Sequence, residues 1–596
     1  MSTYDKHNEL MTMARFHNLP ADILQAFEDT IRHRSKHVPD GQVRAIKPTR
    51  NPGPPLKFGV VDYAVRVHDG VEQTSITLVT REYTTTLVVR DDEEFYTALH
   101  ARMYSESMND ATWFCPQGKE RFIAYFKRSL MKALAEHGYH MSGTRINNPD
   151  TNLRVSKGNC HWWIADFNAC HGVTPSGTSY DAATLDTTDA DHQAVLTRFY
   201  EEICAMQDFY RSEFGISLKR TAARTGFIAF LRHMSDGSIL SRPSPDKFAA
   251  CHQGGLIRQG YLRHQPYVGL ASEEDQRRQY VSILGRDLPQ HEVLDRAVLN
   301  GQRQQGFFLC RVSGHGMVPL YIGAYDPLTH TFNREYWNGG SVICWLADTE
   351  YEGIERVGYQ IDPVFGWRIT EWFNVRPLVE KLQRLIDMHS ADSAIGQVLK
   401  LVGNATIGKF ATQSTFASYV YSVQEQEGLW PMQDIVTREE IQNVWEKTTT
   451  KYESHQQPLI AAYIYGATRT QLYIRMAEHI DAGRKIVHAC TDGLIIAGSL
   501  RRTHYSDNPR IGEWRLVQNN VPTSISGNNR YVMGMKEKNM GAGSMTLTRE
   551  AIKSITAVPP YTKPLEAPTA SFMSDIYKAV ASVDLRTTFV TNPRLL

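Results

Sequence analysis

At 596 residues the chain is too long for one compact domain, and roughly 150 residues per domain gives about three to five units. Hydrophobic residues at 42% and charged residues at 22% exclude a mostly disordered chain. With 65 Lys+Arg against 64 Asp+Glu, any surface for nucleic acid must be a local patch and not a global excess of positive charge.

No apolar run approaches the ~18–20 residues of a membrane span, and the opening MSTYDKHNEL lacks the apolar centre of a signal peptide. The eight cysteines (Cys115, Cys160, Cys170, Cys204, Cys251, Cys310, Cys344, Cys490) form no CxxC pair, which opposes a zinc site and suits a reducing compartment. The expectation is a cytosolic multidomain protein with no membrane partner.

In chain order, the first breaker is KPTRNPGPPLKFG at 47–59, where Pro and Gly density forbids helix or central strand. The segment before it carries seven Lys/Arg between Arg32 and Lys57 (Arg32, Arg34, Lys36, Arg44, Lys47, Arg50, Lys57) against the single acid Asp40. That is either a basic arm able to neutralise phosphates or a solvated charged face. FGVVDYAVRV alternates as a strand, and SITLVTREYTTTLVV reads as two more strands joined by a turn. RFIAYFKRSLMKALAEHG has helical spacing, CHWWIADFNA reads as a strand, and HQAVLTRFYEEICAMQDFYRSEFG and LKRTAARTGFIAFLRHM read as helices. Strands followed by helices fit an α/β or α+β domain over about 57–240. A Pro-rich connector, SITAVPPYTKPLEAPTASF, precedes a last helix at SDIYKAVASV.

Three segments of the second half carry candidate chemistry. In HACTDGLII, Asp492 lies between two short apolar runs with Gly493 beside it, the pattern of a hairpin tip that lifts a carboxylate out of a buried sheet. A purely structural Asp-Gly hairpin is the alternative. In KLVGNATIGKF, Lys400, Asn404, Ile407 and Phe410 fall on one side of a helix, where a Lys and an Asn can grip a triphosphate and Gly408 permits close approach. An amphipathic helix with an incidental Lys is the alternative there. Gly403 to Lys409 also matches half of a P-loop, but Phe410 stands where the Mg²⁺-holding Ser/Thr belongs. DQRRQYVSILGRDLP supplies Asp275 and, five residues on, Tyr280. Two distant carboxylates meeting on one sheet can hold a pair of Mg²⁺ ions that activate a 3′-hydroxyl and stabilise leaving pyrophosphate.

In this order the three segments resemble motifs A, B and C of family B DNA polymerases, and most of all the protein-primed branch of phages and linear plasmids. Against D-x-x-S-L-Y-P, Asp275 and Tyr280 match while Arg278 and Val281 depart. Against K-x-x-x-N-S-x-Y-G-K-F, Lys400, Asn404, Gly408, Lys409 and Phe410 match, with Ile407 at the Tyr. Against Y-x-D-T-D-S, Thr491 and Asp492 match, while His488, Cys490 and Gly493 replace the tyrosine, the first aspartate and the serine. HQGG at 252–255 resembles the Tyr-x-Gly-Gly link, IGEWR at 511–515 the G-x-W segment, NRY at 529–531 the K-x-Y motif and KEKNMGAGS a following K-x-A-G element. The resemblance covers about 245–545.

The resemblance implies an α+β multidomain fold, an RNase H-like exonuclease-type α/β domain followed by a right-hand palm, fingers and thumb. The implied domains are a basic N-terminal extension (1–56), an exonuclease-like domain (57–245), palm with motif A and an insertion (246–390), fingers (391–454), palm with motif C (455–525), and thumb with a tail (526–596). It makes Asp275 and Asp492 the catalytic residues and metal ligands, with two Mg²⁺ ions (or Mn²⁺) as cofactor. Tyr280, Lys400, Asn404 and Gly408 would bind the nucleotide, and Tyr531, Lys536, Gly254 and Gly255 the DNA. The implied partners are template-primer DNA, dNTPs and a terminal priming protein, for which the residues between motifs A and B leave room. The implied location is cytoplasmic, in the host cytoplasm for a viral or plasmid-borne gene. Asp62-Tyr63-Ala64 lacks the Glu of the exonuclease D-x-E, and Asp166 and Asp191 are the other carboxylates in reach of such a site, so a degenerate exonuclease is expected. A catalytically impaired, polymerase-derived DNA-binding protein is the alternative function.

Overall fold

The structure is a computed structural model describing residues 20–32, 53–68, 71–89, 94, 109–116, 138–145, 152–157, 160–172, 174, 189–236, 240, 257–259, 267–290, 294–299, 303–328, 331–389, 393–411, 414–422, 424, 430–433, 440–451, 457–527 and 530–539. The expected helices at RFIAYFKRSLMKALAEHG and SDIYKAVASV, most of the basic arm, and Gly254 and Gly255 lie outside the described residues. Two compact units emerge, one of residues 44–242 and 374–457, the other of 1–43, 243–373 and 458–596.

The first unit is built on a ten-stranded mixed sheet. The strand Phe58–His68 pairs antiparallel with Val71–Val79, which pairs with Thr84–Val89, and parallel with Thr112–Cys115. Thr112–Cys115 in turn runs parallel to Cys160–Asp166. Antiparallel strands His140–Arg145 and Asn152–Lys157 continue the sheet to Ser414–Tyr421, Glu440–Lys451 and Trp430–Gln433. The helix Asp189–Phe214 buries Leu196, Phe199, Ile203, Met206, Tyr210 and Phe214, a three-and-four spacing that makes one apolar stripe. CHWWIADFNA is a strand only to Asp166, and Phe167–His171 turns helical.

Thr221 caps the helix Ala222–His233, its hydroxyl accepting from Arg224 N at 3.2 Å. This helix packs on Ala394–Ala411 so closely that a Cβ at Gly226 would lie 2.1 Å from Thr406 Oγ1 and 2.5 Å from the Val402 carbonyl. Phe410 closes the contact, with ring centroids 4.9 Å from Phe230 and 6.0 Å from Phe227.

The second unit holds a six-stranded antiparallel sheet from residues 294–369 and a seven-stranded sheet. One core joins alternate residues of the first (Phe308, Cys310, Val312; Leu320, Ile322; Cys344, Leu346) to the helix Pro458–Asp481 and the hairpin that follows it. That helix is apolar nearly all round, as burial demands, and Tyr473 donates no charge to the core but accepts the Tyr321 N–H at 2.8 Å. Its buried Arg469 is held by Glu350, 2.6 Å from Oε1. The seven-stranded sheet runs Lys536–Asn539, Arg530–Met533, Trp514–Gly527, Tyr267–Gln276, Gly493–Ala497, Ile486–Cys490, Ile257–Gln259. Among the described residues no helix is long and apolar enough to cross a membrane.

Candidate active site

The strand Tyr267–Gln276, YVGLASEEDQ, carries three acids in a row at its end. Side chains alternate across a sheet, so Glu273 and Asp275 share one face and Glu274 takes the other.

On one side this strand pairs with Gly493–Ala497, in a register that sets Gly493 opposite Asp275. The hairpin Ile486–Cys490/Gly493–Ala497 closes at the Cys490–Gly493 pair, so Thr491 and Asp492 form its tip. The expected Asp-Gly turn is therefore a Thr-Asp turn, and Thr491, not a glycine, adopts the left-handed conformation at φ 58°. A β-branched residue there is strained, and such strain gathers where a fold fixes a functional tip. The Asp492 carbonyl accepts the Gln276 N–H at 2.7 Å, which holds the tip against the residue after Asp275. Gly493 has little room for anything larger, since a Cβ would lie 3.2 Å from the Glu274 carbonyl and 3.5 Å from Asp275 Cβ. Asp275 and Asp492, 217 positions apart, thus meet at one end of the sheet.

Arg278, left-handed at φ 52°, turns the chain from strand into the short helix Gln279–Leu284. Tyr280 on that helix stacks edge-on against Tyr465 at 5.4 Å, and burial, then Tyr465 and Asp492, push its phenol well above the ordinary range. Tyr531 is buried on the Glu273–Asp275 face, raised first by burial and then by Glu273, Cys490 and Asp492, and its ring lies 5.5 Å from His488. The Lys536 ammonium is 2.5 Å from Glu273 Oε1.

Sequence reasoning missed the partners of all three acids. Glu274 is fully buried on the opposite face and accepts from Arg475 (2.8 and 2.7 Å), His479 (2.7 Å) and Tyr505 (2.5 Å). Burial alone would raise its pKa, but the hydrogen bonds from His479 and Arg475 outweigh burial and hold it at about 2. Asp275 is gripped at both oxygens by Arg515, Nε to Oδ1 at 2.6 Å and Nη2 to Oδ2 at 3.1 Å. The IGEWR segment was legible as a motif, but its arginine had no local signal, because the pairing of Arg515 with Asp275 is a matter of sheet register.

The donor set can be tested against a pair of divalent ions. Both oxygens of Asp275 already accept from a cation, Cys490 replaces one expected acid, and Glu273 gives one oxygen to Lys536. Among the described residues no three His, Cys, Asp or Glu are grouped to hold a metal ion. As placed, these side chains do not fit a two-ion centre.

Lys400, Asn404 and Gly408 belong to the other unit, on the helix Ala394–Ala411. Lys400 is exposed while Ile407 and Phe410 are buried, so the side they share runs from solvent into the core. The Asn404 Oδ1 is screened from solvent and accepts no hydrogen bond among the described residues. A Cβ at Gly408 would meet nothing within 4 Å, which leaves its face open. Residues 403–409 are all helical, and this removes the P-loop alternative.

In the same unit Asp62 and Asp166 are both buried, and Ala64 sits where a second acid is expected. Asp62 Oδ2 pairs with His192 Nε2 at 3.2 Å, with both side chains fully enclosed. Asp191 is exposed, so the inward-facing residue of that turn is its neighbour His192. Burial, with added repulsion from Asp62 and Asp166, raises the Cys115 thiol well above its ordinary value.

The mixed α+β fold is similar to that of solved DNA polymerases. In particular, the fold is similar to that of phi29 DNA polymerase complexed with primer-template DNA and incoming nucleotide substrates, with a TM-score of 0.56 at 13% identity over 83% of this chain and 93% of that one. The same polymerase in an orthorhombic crystal form gives a TM-score of 0.54 at 15% identity, over 83% and 90%. No family model matches the sequence, and no curated protein matches it.

Proposed function

We propose that the chain is a DNA-directed DNA polymerase of the family B, protein-primed kind, adding dNTPs to a 3′-hydroxyl in phage or plasmid DNA replication, with little or no 3′–5′ proofreading. The observation that carries this reading is the convergence of Asp275 and Asp492 at one sheet end, in a fold similar to a polymerase that binds primer-template DNA. In this reading Asp275 and Asp492 face the reacting phosphate, and Tyr280 packs under the sugar. Lys400 and Asn404 hold the triphosphate, Gly408 lines the new base pair, and Tyr531, Lys536, Gly254 and Gly255 follow the DNA strand. Residues 57–245 form the exonuclease-like domain, and the burial of Asp62 against His192 supports its loss of proofreading. The palm, fingers and thumb boundaries follow the family's order, and a terminal priming protein is the partner for the residues between motifs A and B.

Primer extension on a labelled template, with dNTPs and Mg²⁺ or Mn²⁺, tests the reading. Asp492→Asn is expected to lower extension at least a hundredfold while DNA binding by gel shift stays unchanged; unaltered extension rejects the assignment. A second reading, an impaired polymerase that only binds DNA, is favoured by the Arg515 grip on Asp275 and by Cys490. Any templated incorporation by the intact protein that Asp492→Asn abolishes eliminates it.

A further inference from the structure

We propose that Arg515 occupies the electrostatic place of a divalent ion at Asp275, so that this protein rests with its acid pair closed to metal and binds metal there only when the guanidinium is displaced. The inference rests on reading Asp275 and Asp492 as the reacting pair.

The grip is built into the sheet. Asp275 and Arg515 are directly opposed residues of antiparallel neighbours, Tyr267–Gln276 and Trp514–Gly527, so both project to the same face. The fork of a guanidinium matches the two oxygens of a carboxylate, and here both hydrogen bonds are made.

The segment that delivers Arg515 is fixed independently. Gln276 Nε2 donates to the Gly512 carbonyl at 2.6 Å, Gly512 N donates to the Arg277 carbonyl at 2.7 Å, and Arg277 N donates to the Glu513 carbonyl at 2.9 Å. The Arg277 guanidinium also reaches the Pro509 carbonyl. Gly512, at φ 90°, turns where a Cβ would lie 2.8 Å from Ser282 Cβ, so a larger residue would push the segment off. Four bonds and one tight turn therefore hold the chain just before Arg515 against the chain just after Asp275.

The charge arithmetic points the same way. On this face Lys536 neutralises Glu273 and Arg515 neutralises Asp275. A divalent ion approaching Asp275 meets a guanidinium already there, and close like charges repel even in a partly solvated site. The cleft is open enough for exchange, with the Asp275 side chain 24% and the Arg515 side chain 36% exposed. Displacement by an arriving triphosphate, itself a strong partner for arginine, supplies a route to the open state.

The test is Mn²⁺ titration of the full chain, followed by the electron paramagnetic resonance signal of free Mn²⁺. The intact protein is expected to bind Mn²⁺ weakly. Arg515→Gln is expected to tighten binding at least tenfold, and adding Asp275→Asn to that variant is expected to erase the gain. Arg515→Lys, which keeps the charge but not the fork, is expected to fall between, and it serves if the Gln variant does not fold.

Tight Mn²⁺ binding by the intact protein that Asp275→Asn abolishes overturns the proposal, and so do folded Arg515 variants with unchanged affinity. Primer extension on the same preparations separates the two ideas. Tightened Mn²⁺ binding without extension by any preparation sinks the polymerase reading and keeps the clamp. Extension by the intact protein with unchanged Mn²⁺ affinity in the variants does the reverse.

Discussion

Replacing Glu274 by Gln tests whether the sheet end that presents Asp275 is held from behind. Glu274 is fully buried, and its carboxylate accepts from Arg475, His479 and Tyr505. The shift from the ordinary 4.5 to about 2 corresponds to about 3 kcal/mol of folding stability, at about 1.4 kcal/mol per unit. Because the folded pKa is depressed, this stability is present in full above pH 4.5 and is lost as pH falls toward 2. The linkage expression leaves roughly 1.4 kcal/mol of it at pH 3, under half the neutral-pH value. Gln keeps hydrogen-bonding capacity but removes the charge facing Arg475 and His479, leaving Arg475 with Glu478, so a loss of about 3 kcal/mol is expected at pH 7. For a unit of about 300 residues that is roughly a 5 °C fall in melting temperature. Scanning calorimetry of both proteins between pH 7 and pH 3 measures it, and their difference should shrink by more than half across that range. A difference that stays constant with pH, or a variant within 1 °C of the parent at pH 7 (about 0.5 kcal/mol), refutes the reasoning.

Glu350→Gln removes the charge facing the buried Arg469 guanidinium inside the same unit, and a loss of about 3–5 kcal/mol is expected by chemical denaturation. Phe410→Ala opens the contact with Phe227 and Phe230; about 3–5 kcal/mol should be lost, read as a lower urea midpoint for the unit of 44–242 and 374–457. Asp62→Asn should lower stability by about 1–3 kcal/mol, because its hydrogen bond to His192 is buried. The same change should leave 3′-end degradation of single-stranded DNA at its background rate; a clear drop in degradation would mean that Asp62 still works as a nuclease ligand.

What could be read from the sequence was whatever depends on local order along the chain. The helix Ala394–Ala411, the hairpin around Asp492 and the strand Phe58–His68 follow from spacing, and their elements lie where spacing put them. The places where the reading slipped are junctions decided by tertiary contacts. CHWWIADFNA leaves the sheet at Asp166 because Phe167 is drawn into the aromatic cluster of Phe114, Phe199 and His171. The tip at Thr491–Asp492 is set by the bond from Gln276 to the Asp492 carbonyl, and a preference for glycine at turns could not foresee it.

The run Glu273–Glu274–Asp275 held a further clue that composition concealed. Three consecutive acids in an otherwise apolar strand cannot all be solvated, because successive side chains leave by opposite faces and one face is core. Each must then meet a cation brought from elsewhere in the sequence: Lys536 for Glu273, Arg475 and His479 for Glu274, Arg515 for Asp275. A net charge of +1 over the chain conveys nothing of this, since it counts charges without saying which are consumed internally. The acid required by a structural hub and the acid proposed for chemistry are adjacent in sequence, and only the alternation of the strand tells them apart. Glu274 faces the core and is satisfied there, while Asp275 faces the open side. There its neutralisation by Arg515 is reversible by any stronger partner, and that difference in exposure, more than the identity of either side chain, separates a scaffold from a site.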